Sequence, residues 1–251
     1  MKNINIIIIG NQFSEFSNGQ NILTYGQFRC MLKKGLPDNQ VKYQIYIGQG
    51  LSDSMIDSIY KMLKSFSWTE RFSFIGLMQR NRRAVSYFNH KQCIISEPEK
   101  ISDYLFRCYL MLNEQDTTHS TEQHIQGLAL LEAAQQMVES ISAKFFISPL
   151  MSEKKSFVLN QVNSTFWEYV FPLDVEFICK LKQFRYGLDG NFKADAAIQV
   201  KQNKKIVMAV DIGFSIMEKA TLLNIENHMG TSLVNDLING PCLRLVEQLT
   251  A

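Results

Sequence analysis

The feature that most restricts the fold of this chain is an apolar helical segment near its centre, residues 122–137. Apolar side chains recur on it at helical spacing, at Ile125, Leu128 and Leu131. A segment of this kind belongs inside a protein, yet it carries Glu132 between apolar neighbours. A buried carboxylate is costly unless it is paired, hydrogen-bonded or used in chemistry. The sequence therefore predicts a buried helix, ending near residues 140–143, with a candidate site on it.

Composition argues against several classes of function. The formal net charge is only +2 and the basic residues are dispersed, so no nucleic-acid partner is expected. The five cysteines are odd in number and widely spaced, which indicates neither a disulfide framework nor a zinc site. No other ligand spacing suggests a metal, and no bound cofactor is expected. No segment approaches the roughly 20 apolar residues that span a bilayer, and the N-terminal apolar run is too short for a signal peptide. A cytoplasmic protein is expected.

The first 78 residues alternate predicted strands and helices. Strands are predicted at residues 3–9, 41–47 and 71–77, and helices at 23–34 and 52–66. The order β-α-β-α-β favours a small α/β segment, residues 1–80, whose role the sequence does not reveal.

A glycine pair, Gly48-Gln49-Gly50, follows the second of these strands. It fits either a phosphate site at a helix N-terminus or a tight strand-to-helix turn. The turn is favoured, because the third glycine and the downstream acidic residue of a dinucleotide motif are missing.

The chain beyond residue 90 has a different order of elements. Strands are predicted at residues 92–96 and 104–113, with a turn at 97–100 between them, and the central helix follows. Long strands are then predicted at 156–161, 173–184, 191–202 and 204–217. This order predicts an α+β domain over residues 90–217, an antiparallel sheet wrapped around the helix. Residues 218–251 form a C-terminal extension, with one short helix predicted at 232–238.

The sequence around the helix resembles a known family. The segment His124-Ile-Gln-Gly-Leu-Ala-Leu-Leu-Glu-Ala-Ala-Gln-Gln136 is similar to the central-helix motif of the A-factor biosynthesis (AfsA-like) hotdog-domain family. That motif is an Asp-His-Val-Pro-Gly-Met segment followed by a Leu-Glu-Ala-Ala-Arg-Gln helix. The likeness extends upstream to Cys93-Ile-Ile-Ser-Glu-Pro and downstream to Ser164-Thr-Phe-Trp-Glu-Tyr169, so it covers roughly residues 90–217. It implies a hotdog fold, preceded here by the unrelated α/β segment.

This chain departs from the family motif at three positions close to the candidate site. Gln123 replaces the family's Asp, Gln126 its Pro and Gln135 its Arg. Loss of the Asp removes a carboxylate that could orient the imidazole of His124. The resemblance therefore leaves the reaction type open.

The resemblance implies an enzyme that acts on acyl groups carried as thioesters by the phosphopantetheine of an acyl carrier protein or by coenzyme A. The best-known activity of the family transfers a β-ketoacyl group to dihydroxyacetone phosphate, on the route to γ-butyrolactone signals. Acyl transfer to a small hydroxylated acceptor is therefore expected first. The alternatives are a 3-hydroxyacyl-carrier dehydratase, an acyl-thioesterase and a non-catalytic acyl-binding or scaffold protein. Family members usually carry two hotdog repeats and this chain carries one, so a homodimer is expected.

The candidate catalytic residues are Glu132, His124 and His119. Glu132 would act as a general base or polarise the substrate, unless it is a buried glutamate satisfied by backbone amides or by a partner. His124 would transfer a proton, because imidazoles do so near neutral pH; otherwise it is a solvent-facing residue at the helix start. His119, in the preceding loop, corresponds approximately to a loop histidine of dehydratase relatives.

The candidate substrate-binding residues are Gly127, Gln136, Gln123, Phe166 and Tyr169. Gly127 would let a backbone amide approach a thioester carbonyl at the helix start. Gln136 lies one turn beyond Glu132 and would orient its carboxylate. Phe166 and Tyr169 would line an acyl tunnel or simply pack in the core.

Overall fold

The structure is a computed structural model, and it describes residues 2–35, 41–75, 84, 93–114, 123–148, 154–186 and 191–239. The strands are β1 (Lys2–Ile9), β2 (Ile22–Thr24), β3 (Val41–Ile47), β4 (Phe72–Ile75), β5 (Glu99–Ser102), β6 (Leu105–Tyr109), β7 (Lys155–Phe166), β8 (Glu176–Tyr186), β9 (Phe192–Gln202) and β10 (Lys205–Glu218). The helices are α1 (Tyr25–Lys34), α2 (Asp53–Ser65), α3 (Gly127–Phe145) and α4 (Lys219–Asn239), with short 3₁₀ turns at Asn11–Phe16 and Thr69–Arg71.

The N-terminal part forms a parallel sheet in the order β2-β1-β3-β4. Both helices begin at side-chain caps: Thr24 and Gln27 form a capping box at α1, and Ser52 accepts a hydrogen bond from the Met55 amide at α2. The predicted order of strands and helices is present. The structure adds a 3₁₀ turn at Asn11–Phe16 and the short strand β2, both between β1 and α1.

The second sheet is antiparallel, in the order β5-β6-β8-β9-β10-β7, and it packs on α3. The sheet-facing side of α3 is buried and apolar, and it includes three small residues, Ala129, Ala133 and Ala134. Its larger side chains are Leu130, Met137, Val138 and Ile141. These side chains share one core with the inward-facing residues of the strands, such as Phe177, Ile198 and Val210. A long helix enclosed by an antiparallel sheet is the hotdog arrangement, and the predicted α+β fold class is confirmed.

The predicted bounds of the central helix were wrong at both ends. α3 begins at Gly127 because the preceding Ile125 is held in a bridge: its amide donates to the Val170 carbonyl at 2.8 Å. His124 therefore precedes the helix. At the other end, α3 continues past residues 140–143 to Phe145.

Three other predicted elements also differ. The turn predicted at residues 97–100 is wrong, since β5 begins at Glu99 and pairs with β6. Within the strand predicted at 92–96, the described residues form only the isolated bridge between Ile95 and Leu110. The short helix predicted at 232–238 belongs to the much longer α4, which follows β10 directly.

Three cysteines lie buried in the hotdog core, Cys93, Cys108 and Cys179. Burial raises the pKa of the Cys179 thiol, and it raises that of Cys108 well above the usual range, with the neighbouring Cys179 and Cys93 adding to the effect. These two thiols therefore stay protonated at physiological pH and behave as small apolar side chains. Over the described ranges, no helix has the length and apolar character needed to cross a bilayer.

Candidate functional site

A cavity of about 450 Å³ opens at the N-terminus of α3. Its walls come from the residues before and at the helix start and from the end of β7: His124, Ile125, Gly127, Leu130, Phe166, Trp167, Glu168, Tyr169 and Val170. This volume lies within the range of small-molecule sites, and the lining is mainly apolar and aromatic.

Backbone hydrogen bonds fix the floor of the cavity. The bridge between Ile125 and Val170 joins the segment before α3 to the segment after β7, and both side chains are buried. The Trp167 amide donates to the Val207 carbonyl at 2.9 Å, which ties the same wall to β10. The rim differs, because Trp167 and Tyr169 are 57% and 72% exposed. A rigid floor with an exposed aromatic rim can admit a long apolar group.

The helix start supplies polar groups to this apolar cavity. In the described structure, the N-cap residue Gln126 makes no side-chain hydrogen bond to the first turn of α3. The Ala129 amide donates to the Gln126 carbonyl at 3.1 Å, and the amides of Gly127 and Leu128 lie before it at the positive end of the helix dipole, where water or a ligand can accept from them. A side chain at residue 127 would crowd the aromatic wall, because a Cβ atom there would lie 2.7 Å from Cε1 of Phe166.

His124 and Glu168 bring an imidazole and a carboxylate to the cavity lining. His124 is half-buried, and its ring centroid lies 4.9 Å from that of Tyr169. Glu168 lies at the rim, where Lys205 Nζ is 3.8 Å from its Oε1. The side chains of Glu168 and Lys205 are both exposed, so the ion pair between them contributes little to stability. The sequence argument missed Glu168, although it lies inside the aromatic segment Phe166–Tyr169.

Glu132 lies on another side of α3. It is two residues from the cavity-lining Leu130, which turns it about 200° around the helix axis, and it does not line this cavity. The predicted contact with Gln136 is present, since Gln136 Nε2 donates to Glu132 Oε1 at 3.2 Å. Gln136 is only 2% exposed, and its Oε1 accepts from the Ile94 amide at 2.8 Å. This amide contact fixes which end of the Gln136 side chain faces Glu132.

A second carboxylate, not predicted from the sequence, lies two turns beyond Glu132 on the same face. Glu139 is 3% exposed, and its Oε1 accepts from Gln135 Nε2 at 2.9 Å. Glu132, Gln135, Gln136 and Glu139 follow the spacing i, i+3, i+4, i+7 and form one polar stripe. That spacing was visible in the sequence and could have identified Glu139.

The structure brings part of the predicted site together. His124, Gly127, Phe166 and Tyr169 line the cavity. Gln123 is exposed just before it, while Glu132 and Gln136 belong to the polar stripe. His119 lies outside the described residues.

Comparisons with known proteins give no family assignment. No family model matches the chain, and no curated protein matches it. Similar solved structures include a thioesterase of Haemophilus influenzae, 12% identical with a TM-score of 0.37, over 49% of this chain and 78% of that one. A mutant thioesterase of Pseudomonas aeruginosa is 11% identical with a TM-score of 0.39, over 53% and 99% of the two chains. A putative thioesterase of Lactococcus lactis is 13% identical with a TM-score of 0.39, over 57% and 98%. Likenesses this distant carry no argument about activity.

Proposed function

We propose that this protein is an acyl-thioester enzyme whose acyl group enters the cavity at the start of α3. The observation that carries the proposal is the combination, in one cavity, of aromatic walls, an uncapped helix N-terminus and an imidazole. Aromatic walls suit an acyl chain. The helix start suits the oxygen of a thioester carbonyl, which becomes negative during attack.

In the proposed reaction, first-turn amides near Gly127 polarise the thioester carbonyl. His124 accepts the proton of an acceptor hydroxyl while the hydroxyl oxygen attacks the carbonyl carbon. The bond from the carbonyl carbon to the carrier sulfur then breaks, and the departing thiolate takes up that proton from His124. The carrier is the phosphopantetheine of an acyl carrier protein or coenzyme A. Acyl transfer to a small hydroxylated acceptor is the first choice, on the likeness to the A-factor biosynthesis family. Dehydration and hydrolysis would use the same cavity.

We also propose that the enzyme works as a homodimer joined at β7. The inward face of this edge strand carries Leu159, Val162 and Phe166, which pair with the buried β10 residues Phe214, Ile212 and Met208. These three side chains are nevertheless 41%, 39% and 47% exposed. An edge strand with an exposed apolar inner face is a ready surface for a second copy. Because Glu132 does not line the cavity of its own protomer, we propose that it serves the cavity of the partner in such a dimer.

The dimer proposal predicts that Val162→Lys yields a monomer. A lysine on the inner face would place a charge in an apolar contact, and we expect dimerisation to weaken by about 100-fold or more. Sedimentation velocity over a concentration series measures this. Asn163→Lys is the matched control, because Asn163 is exposed on the opposite face of the same strand. Equal dimerisation by both variants, or a monomeric wild type, would contradict the proposal.

A substrate panel tests the reaction. The purified protein would receive β-ketoacyl- and 3-hydroxyacyl-carrier thioesters, with and without dihydroxyacetone phosphate, and products would be followed by mass spectrometry. An ester formed only with the acceptor supports acyl transfer. An enoyl product supports dehydration, and free acid without acceptor supports hydrolysis. Saturable binding without turnover would favour the non-catalytic alternative.

Gly127→Ala links the observed turnover to the cavity. The added methyl would displace the Phe166 ring, which lines the cavity, while alanine favours the helix by up to about 1 kcal/mol. We therefore expect nearly unchanged stability, and turnover lowered by about 10²-fold because a displaced wall misplaces the acyl group. Gly230→Ala is the control, because nothing lies within 4 Å of a Cβ at that position in α4. Equal turnover by both variants would remove this cavity from the reaction.

A further inference from the structure

The N-terminal sheet meets the hotdog sheet at the carboxyl ends of its central strands. In open parallel sheets, ligands bind at these ends, at the point where the strand order reverses. Here that point lies between β1 and β3. Gln49 fills it, and the amides of Gln49 and Gly50 donate to the hotdog backbone, which favours the strand-to-helix turn over a phosphate site.

Gln49 is 1% exposed, and its hydrogen bonds reach two separate segments of the hotdog domain. Its Nε2 donates to the carbonyls of Leu110 at 3.0 Å and Leu173 at 3.2 Å. Its Oε1 accepts from the Leu112 amide at 2.9 Å, and its own amide donates to the Pro172 carbonyl at 2.9 Å. Both ends of the side-chain amide are engaged, so a single orientation is fixed.

The segment that Gln49 holds continues directly from the aromatic wall of the cavity. Val170 lines the cavity, and Pro172 and Leu173 follow two and three residues later. Between them, Phe171 stacks on Phe16 of the N-terminal 3₁₀ turn, with ring centroids 5.1 Å apart. The hotdog domain itself holds the backbone of Phe171 through the side chain of Gln202. The segment that continues the wall is thus held by Gln202 on the hotdog side. On the other side it is held by Phe16 and Gln49 of the N-terminal part.

We propose that Gln49 is a positioning residue for the aromatic wall of the acyl cavity, so that the N-terminal α/β part supports this site. The inference rests on the proposed acyl site for its functional meaning. The positioning itself can be measured without any turnover.

The test uses Gln49→Met, which keeps the length of the side chain and removes its three hydrogen bonds. Trp68→Phe provides a background in which Trp167 is the remaining tryptophan. We expect the Trp167 emission to shift and amide exchange at residues 170–174 to accelerate by about 10-fold or more. Affinity for decanoyl-coenzyme A, followed by Trp167 fluorescence, should fall about 10-fold. In the turnover assay KM should rise more than kcat falls.

Ile59→Ala separates positioning from general loss of stability. Ile59 is fully buried in the N-terminal core, on α2, so this variant weakens the same part without touching the wall. Of these two variants, only Gln49→Met should shift the Trp167 emission and accelerate amide exchange at residues 170–174. Phe16→Ala, which removes the stack on Phe171, should give a smaller change in the same direction, and it replaces Gln49→Met if that variant does not fold.

The inference is overturned if Gln49→Met and Ile59→Ala change the Trp167 emission and the amide exchange at residues 170–174 equally. It is also overturned if Gln49→Met leaves both quantities unchanged. If Gln49→Met does not fold, the same criterion applies to Phe16→Ala. If the wild type does not bind decanoyl-coenzyme A, the proposed function fails. The exchange and emission data then still decide whether Gln49 positions the wall.

Discussion

Replacing Glu132 with Gln is expected to lower the turnover of an acyl thioester by about 10²–10⁴-fold, the usual range for a lost acid–base group, if Glu132 shares the management of the proton with His124. Glutamine keeps the shape of the side chain, and its oxygen can still accept from Gln136 Nε2. The fold should therefore survive, while the negative charge and the ability to accept a proton disappear. The measurement is kcat/KM with mass detection of products. Glu226→Gln, on the exposed helix α4, is the matched control.

A mixing experiment tests whether Glu132 acts in the cavity of its partner. Glu132 does not line its own cavity, whereas His124 does. Glu132→Gln and His124→Gln dimers, each inactive, would be dissociated together and reassembled. Each mixed dimer then contains one intact site, so random reassortment should restore about a quarter of the wild-type sites. No recovery would mean that the two residues do not combine across the interface. Full turnover by Glu132→Gln alone would remove it from the mechanism.

The elements predicted best from the sequence are those whose residue spacing records burial on one face. β9 alternates buried and exposed residues along much of its length. α3 was predicted as a helix, but the face inferred from its spacing was wrong, because Leu128 is 65% exposed and Leu131 is only partly buried. α4 was largely missed for a physical reason. It follows Glu218 at the end of β10 without a glycine or proline, and its apolar residues, such as Leu223 and Met229, are exposed. Neither a breaker nor a buried stripe marks where this helix begins.

The site was only partly predictable. Gly127 and Phe166 meet because the bridge between Ile125 and Val170 closes a long loop, and only the family likeness suggested that they belong together. The helical spacing places Leu130 and Glu132 on different sides of α3. It could not show which side faces the cavity, because that depends on how the sheet packs around the helix. Gln49 gave no signal, because its partners lie between 61 and 124 residues away.

Gly48→Ala is expected to lower the free energy of unfolding by about 3 kcal/mol, near the upper end for overpacking. A Cβ atom at residue 48 would lie 2.5 Å from the Pro172 carbonyl oxygen and 2.7 Å from Cγ2 of Ile9. Neither group can yield, because Pro172 accepts the Gln49 amide at 2.9 Å and Ile9 is fully buried. Gly48 itself is tied to the Ile8 carbonyl at 2.7 Å.

Urea unfolding measures this loss, and Gly230→Ala is again the control, expected to be neutral or stabilising by up to about 1 kcal/mol. A loss below about 1 kcal/mol in Gly48→Ala would mean that the two sheets can shift apart at little cost. The close packing of Gly48 against Pro172 would then not bind the N-terminal sheet to the wall of the cavity. A large loss would instead show that these two backbones meet too closely to admit any side chain, and a single unfolding transition in the wild type would show that the N-terminal part and the hotdog domain unfold together.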